Sequence, residues 1–115
     1  MPERYEELAE DLMALEQEGE TLPMARDEWN TRPDTVSYGI VQLDAESGQL
    51  NGDNLKQDIS HEGSVDLFSL QRGGAGWVQL ITQTLTQHCE GSWSLNSHTY
   101  ERETGLFHWE WVFEV

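Results

Sequence analysis

The last ten residues of the chain alternate without a break. Phe107, Trp109, Trp111, Phe113 and Val115 share one parity, while Leu106, His108, Glu110, Val112 and Glu114 share the other. Successive side chains on a strand point to opposite faces, so this pattern specifies a half-buried antiparallel strand. Slippage by one residue would turn every ring to the wrong face, which pins the register. Four aromatic rings on one face need a cover. Either a helix with Trp77 and a strand with Trp93 complete a core over them, or part of the stripe packs on another subunit. Such regular alternation favours the core.

The covering helix is legible upstream. Trp77, Leu80, Ile81, Thr84, Leu85 and His88 recur at three- and four-residue steps, and Gly91 suits the position just past the helix end. A strand is expected over residues 92–101, then a turn over 102–105. Two more strands are expected over 36–43 and 59–70. In the second, Val65, Leu67 and Ser69 face one way and Asp66, Phe68 and Leu70 the other. Glycines at 73, 74 and 76 read as a flexible link from strand to helix.

A further helix is expected over residues 2–18, with Tyr5, Leu8, Leu12 and Leu15 as its stripe and Gly19 as its terminator. Like charges at Glu3 and Glu7, Glu6 and Glu10, and Glu7 and Asp11 repel at one-turn spacing, so this helix needs a surface to dock on. Residues 20–34 read as irregular, broken by Pro23 and Pro33 and anchored by Trp29. Residues 44–58 are polar and turn-rich, with Gly48, Gly52 and an Asn-Gly step at Asn51.

The expected fold is therefore one α+β domain over residues 1–115. A mostly antiparallel sheet of about four strands, in the order ββαββ over 36–115, is packed by one amphipathic helix, with an additional helix over 1–19. Its 115 residues suffice for a core without staples. The hydrophobic fraction is only 37%, but five Trp, three Tyr and three Phe bury large areas each.

Twenty-two acids against six bases give a net charge of -16. Such a surface repels phosphate, so specific nucleic-acid binding and attachment to an anionic membrane are not expected. Solubility is the plain reading of that charge. A single cysteine, Cys89, cannot form an internal disulfide, and the N-terminus has no apolar stretch of the kind that opens a signal peptide. Both suit a reducing, cytoplasmic compartment.

Candidate chemistry is thin. The four histidines and Cys89 form neither CxxC nor HExxH, so no metal site is expected, although His98 and His108 on neighbouring strands could sit opposite each other. Adjacent His88 and Cys89 diverge by about 100° on a helix. Cys89 therefore reads as a structural thiol and His88 as an edge residue near a helix C-terminus. Paired carboxylates such as Glu101 with Glu103, or Glu110 with Glu114, are too common here to mark an acid–base pair. The Gly73 segment lacks the Lys and Ser/Thr of a phosphate-binding loop, and residues 44–48 break from calcium-loop spacing. No catalytic residue, cofactor or metal is expected.

Three segments carry a likeness to known proteins. They are Pro33-Asp34-Thr35-Val36-Ser37-Tyr38-Gly39-Ile40-Val41; Gly63-Ser64-Val65-Asp66-Leu67-Phe68 with its following helix; and residues 97–111, where a strand ending Thr99-Tyr100-Glu101 turns through Thr104-Gly105 into Leu106-Phe107-His108-Trp109-Glu110-Trp111. In this layout the chain resembles the tail terminator and related minor tail proteins of long-tailed bacteriophages and prophages. The resemblance spans residues 33–115, and the glycine-rich link at 73–76 departs from it.

The resemblance implies a non-enzymatic structural protein of the virion tail, made in the host bacterial cytoplasm. Such proteins form a ring, usually a hexamer, that caps the tail tube and joins it to the head-completion proteins. Self, tail-tube protein and head-completion protein are then the partners. On physical grounds contacts are expected on the polar loop, at Gln49, Leu50, Asn51, Asp53, Asn54 and Leu55, and on the acidic first helix. The alternative is an acidic inhibitor or immunity-type module that mimics DNA charge to occupy a basic partner.

Overall fold

Burial of the aromatic stripe sets the architecture. In the computed structural model, which describes residues 3–29, 33–47 and 60–115, the chain runs through α1 (Glu3–Met13), β1 (Glu16–Gln17), β2 (Glu20–Thr21), β3 (Met24–Arg26), β4 (Ser37–Ser47), β5 (Ser60–Ser69), a 3-10 turn (Gly74–Gly76), α2 (Trp77–Cys89), β6 (Trp93–Glu101) and β7 (Leu106–Glu114). Five strands form one sheet in the order β3-β4-β5-β7-β6, antiparallel except that β3 runs parallel to β4. The α+β class with an N-terminal helix is as the sequence predicts.

One face of the sheet and both helices make the core. Val41, Val65, Leu67, Trp109, Trp111 and Phe113 meet Tyr5, Leu8 and Leu12 of α1 and Trp77, Ile81 and Leu85 of α2, all buried. The stripe expected of the last strand is thus a core face. Two glycines make room on it. Leu43, Gly63, Phe113 and Trp93 lie side by side in one row across four strands, and Gly39, Leu67, Trp109 and His98 in another. An added Cβ at Gly63 would sit 2.5 Å from Phe113 and at Gly39 2.9 Å from Met24, so both larger side chains overlie bare backbone.

The N-terminal third differs from expectation. The helix expected to run to residue 18 stops at Met13, and Gly19, expected to end it, instead shapes a two-stranded hairpin of β1 and β2. Glu18 and Gly19 have φ of 52° and 81°, the pair of positive values a tight type I′ turn requires. Leu15 still packs against the core, so the stripe continues while the backbone does not. The stretch expected to be irregular contains β3. Pro23 O accepts from Gly39 N at 2.8 Å and Val41 O from Asp27 N at 2.9 Å, which adds a fifth strand beside β4.

Docking of α1, which its charge repulsion makes necessary, uses β3 as a clamp. Arg26 donates from both terminal nitrogens to the two Glu6 oxygens at 2.9 Å each, and its guanidinium lies 5.2 Å from the Tyr5 ring centre. At the other end of α1, Asp11 meets His88 of α2 at 2.7 Å. The link at 74–76 is an ordered turn rather than a flexible one. Gly74, Ala75 and Gly76 all have positive φ, and Gln17 Nε2 donates to Ala75 O at 2.9 Å.

Candidate functional site

Both helices cover the same face of the sheet, so among the described residues its other face is free of helices. Side chains of even parity on β5 and β7, and on β4 as far as its bulge after Leu43, project there. The pairing aligns Tyr38 of β4, Phe68 of β5, His108 of β7 and Thr99 of β6 in one row. Tyr38 and Phe68 stack with ring centres 5.0 Å apart, and Phe68 and His108 at 4.2 Å. Trp29 closes the row edge-on to Tyr38 at 6.3 Å and donates from Nε1 to Gly39 O at 3.0 Å, the anchoring expected of it. Tyr38 is thereby buried although it lies on the open face.

The neighbouring row is acidic. Asp66 and Glu110 face each other across β5 and β7. Diagonal neighbours across adjacent strands are within reach of longer side chains, and His108 uses both diagonals. Its Nε2 lies 2.7 Å from Asp66 Oδ1, and its Nδ1 lies 3.3 Å from Glu101 Oε2. The hydrogen bond with Asp66 raises the His108 pKa above its usual 6.5, and the charges of Asp66, Glu101 and Glu110 act in the same direction against the effect of burial. Glu110 also accepts from Asn96 Nδ2 at 2.8 Å. Leu70 and Val112 are exposed beside these rows.

Sheet edges complete the surface. Among the described residues β6 has a neighbour on one side only, and Glu101 is the one charged residue in its nine. Leu95 and Tyr100 of this strand are 46% and 53% exposed. A bulge between Leu95 and Ser97 interrupts its pairing with β7. Edge strands are ordinarily protected by charge, so a long, nearly uncharged edge stands out in a chain this acidic.

The residues singled out in the sequence distribute as follows. His98 and His108, which could have faced each other, lie on opposite faces: His98 stacks on core-facing Trp109 at 4.5 Å, and His108 stacks on Phe68. Cys89 is buried, and burial pushes its thiol up to about 11. Gln49, Leu50, Asn51, Asp53, Asn54 and Leu55 lie outside the described residues. Among the described residues, no group of three or more His, Cys, Asp or Glu could hold a metal ion, and no helix is long and apolar enough to cross a membrane.

Two grooves open elsewhere. One of about 480 Å³ lies at the far end of the sheet between Asp44, Glu62, Trp93 and Val112, and one of about 520 Å³ lies between Gln17, Thr35, Gln71 and Trp77. Their described lining offers carboxylates, hydroxyls and amides but no imidazole, thiol or amine. The His108 cluster escaped the sequence reading because it needs the register. Alternation puts Asp66 and His108 on the polar parity of their strands, but only the pairing makes them diagonal neighbours. Compared with known proteins, the sequence matches no family model, no curated protein and no solved structure.

Proposed function

We propose that this chain is a non-enzymatic structural protein of a phage or prophage tail, a terminator-type subunit that assembles into a ring on the tail tube and meets the head-completion proteins there. The observation that carries the reading is the free edge of β6. Among the described residues this nine-residue strand is paired on one side only and carries one charge, in a protein whose net charge is -16. Copies of such a chain approach most easily along this edge, where exposed Leu95 and Tyr100 add apolar area. A ring needs a head-to-tail contact, in which this edge meets a different surface of the next copy. The order of elements, with an amphipathic helix between two strand pairs, supports the same reading by resemblance of layout. Fold alone does not fix function.

The deciding experiment is negative-stain microscopy and light scattering on the protein alone and with the tail-tube protein of the same genome. Rings, or tubes that stop growing with this protein at one end, are the expected result, and Leu95→Lys should abolish them while leaving the monomer folded. A strict monomer that neither forms rings nor limits tube length overturns the proposal. One observation favours a second reading. Glu3, Glu7, Glu10 and Asp11 form an exposed acidic face on α1, as an inhibitor of a basic enzyme would need. Under that reading the protein stays monomeric or dimeric and binds a basic nuclease with affinity that falls steeply with salt.

A further inference from the structure

Ionised carboxylate oxygens only accept hydrogen bonds, and a neutral imidazole carries one N–H. His108 presents both ring nitrogens to carboxylate oxygens, Nε2 to Asp66 Oδ1 at 2.7 Å and Nδ1 to Glu101 Oε2 at 3.3 Å. In a neutral ring one nitrogen lone pair would point at a carboxylate. The imidazolium suits both contacts, since it donates from Nε2 to Asp66 and sets its positive charge beside Glu101. Phe68 stacks on one side of the ring, and the ionisable groups facing it are Asp66 from β5, Glu101 from β6 and Glu110 from its own strand. All three are acids, so the cation has charge partners on every strand around it.

Glu101 carries the contact onward. Its Oε2 faces His108, while its Oε1 accepts from the Thr104 hydroxyl at 3.0 Å. Thr104 Oγ1 in turn accepts from Leu106 N at 3.3 Å, and Glu101 O accepts from Gly105 N at 2.8 Å. The turn between β6 and β7 is thus built around one carboxylate, and that carboxylate is tied to the sheet through His108.

We infer that His108 is a proton-operated latch: as the imidazolium it pins Glu101, and with it the β6–β7 turn, to the helix-free face, and loss of its proton frees the turn. The raised pKa gives the direction. A group whose folded pKa lies above its unfolded value contributes stability in full below the unfolded value, and loses it as pH rises through the folded one. The latch is therefore closed below the ordinary imidazole value of 6.5 and opens at some pH above it. The turn closes the hairpin that supplies the free edge of β6, so the proton also sets how firmly that edge is held. That consequence for assembly rests on the tail reading; the latch itself does not.

Nitrogen-detected NMR of the His108 ring tests the inference, combined with amide exchange of residues 102–105 between about pH 6 and about pH 9.5. Both ring nitrogens should carry protons at the acid end of that range. Exchange at the turn, corrected for its intrinsic base catalysis, should rise by up to about fivefold as the ring titrates, the loss expected for a partly exposed ion pair. Glu101→Gln should leave a His108 titration governed by Asp66 and remove the pH step at the turn. His108→Gln should remove both. Since Glu101 lies at a hairpin end, its variant keeps the test open even if His108→Gln fails to fold. A single neutral tautomer at the acid end of that range, with the proton on Asp66 or absent, overturns the inference, as does turn exchange that ignores the titration. Neither result depends on whether the protein forms rings.

Discussion

Tyr5 of α1 stacks on Phe113 of β7, with ring centres 6.4 Å apart and planes within 16°. This contact joins the acidic first helix to the aromatic strand. It explains how a helix laden with like charges is held: the rings meet at one point and the Arg26 guanidinium also lies over the Tyr5 ring. Phe113→Ala should lower stability by about 3–5 kcal/mol, the usual cost of deleting a buried ring. A double-mutant cycle with Tyr5→Leu should show coupling of about 0.5–1.5 kcal/mol. Denaturant unfolding of the four proteins measures both, and additive effects would mean that the stacking contributes nothing beyond burial.

Gly63 is the most restrictive backbone position on the core face. A Cβ there would meet Gln42 O at 2.3 Å and the Phe113 ring at 2.5 Å, and a carbonyl oxygen held in the β4–β5 ladder cannot step aside. Gly63→Ala should therefore destabilise by about 1–3 kcal/mol or more, as overpacking does. Gly73 is the control. Its φ of -89° suits any residue, and an added Cβ meets nothing within 4 Å. Gly73→Ala should be neutral or stabilising by up to about 1 kcal/mol through the unfolded chain. Equal melting temperatures for the two variants would contradict the close packing at Gly63.

These positions mark where the sequence was legible. Period-two alternation over 106–115 and the stripe from Trp77 are strong local signals, and they sufficed for the core face, for α2 and for the long strands β4 to β7. The N-terminal third was misread because Leu15 continues the helical spacing of α1 while lying in a hairpin, where the Glu18–Gly19 turn overrides periodicity. β3 was missed because three residues carry no measurable period, and Met24–Arg26 becomes a strand only through its pairing with residues 39–41 of β4. The cluster at His108 depends on diagonal neighbours three strands wide, information that no single strand contains.

Glu90 caps α2 with φ of 49°, a left-handed value that favours glycine. As an acid it also stands at the negative end of the helix dipole. Glu90→Gly removes both penalties. The left-handed strain is about 1 kcal/mol for an ordinary residue, and the greater freedom of glycine in the unfolded chain offsets part of the gain. The variant should be more stable by about 0.5–1 kcal/mol at low ionic strength, with the advantage shrinking as salt screens the dipole. A destabilised variant would show that the Glu90 side chain makes a contact that outweighs both effects.

Cys89 closes the last turn of α2 against the core and is only 3% exposed. Burial, opposed weakly by Arg4, pushes its thiol from 9.0 up to about 11. At a pH near 8 the thiolate fraction then falls about a hundredfold below that of an ordinary protein thiol, before any occlusion is counted. A disulfide reagent should therefore label Cys89 only as fast as the protein opens, and labelling should become immediate in denaturant. The same shift has a sign for stability. The folded thiol holds its proton more tightly than the unfolded one, so its contribution is complete below about pH 9 and declines as pH rises toward about 11. Cys89→Ala, whose side chain does not ionise, should lose this alkaline decline while keeping the earlier one that belongs to His108. Rapid labelling of the native protein at neutral pH would instead mean that the end of α2 frays from the sheet.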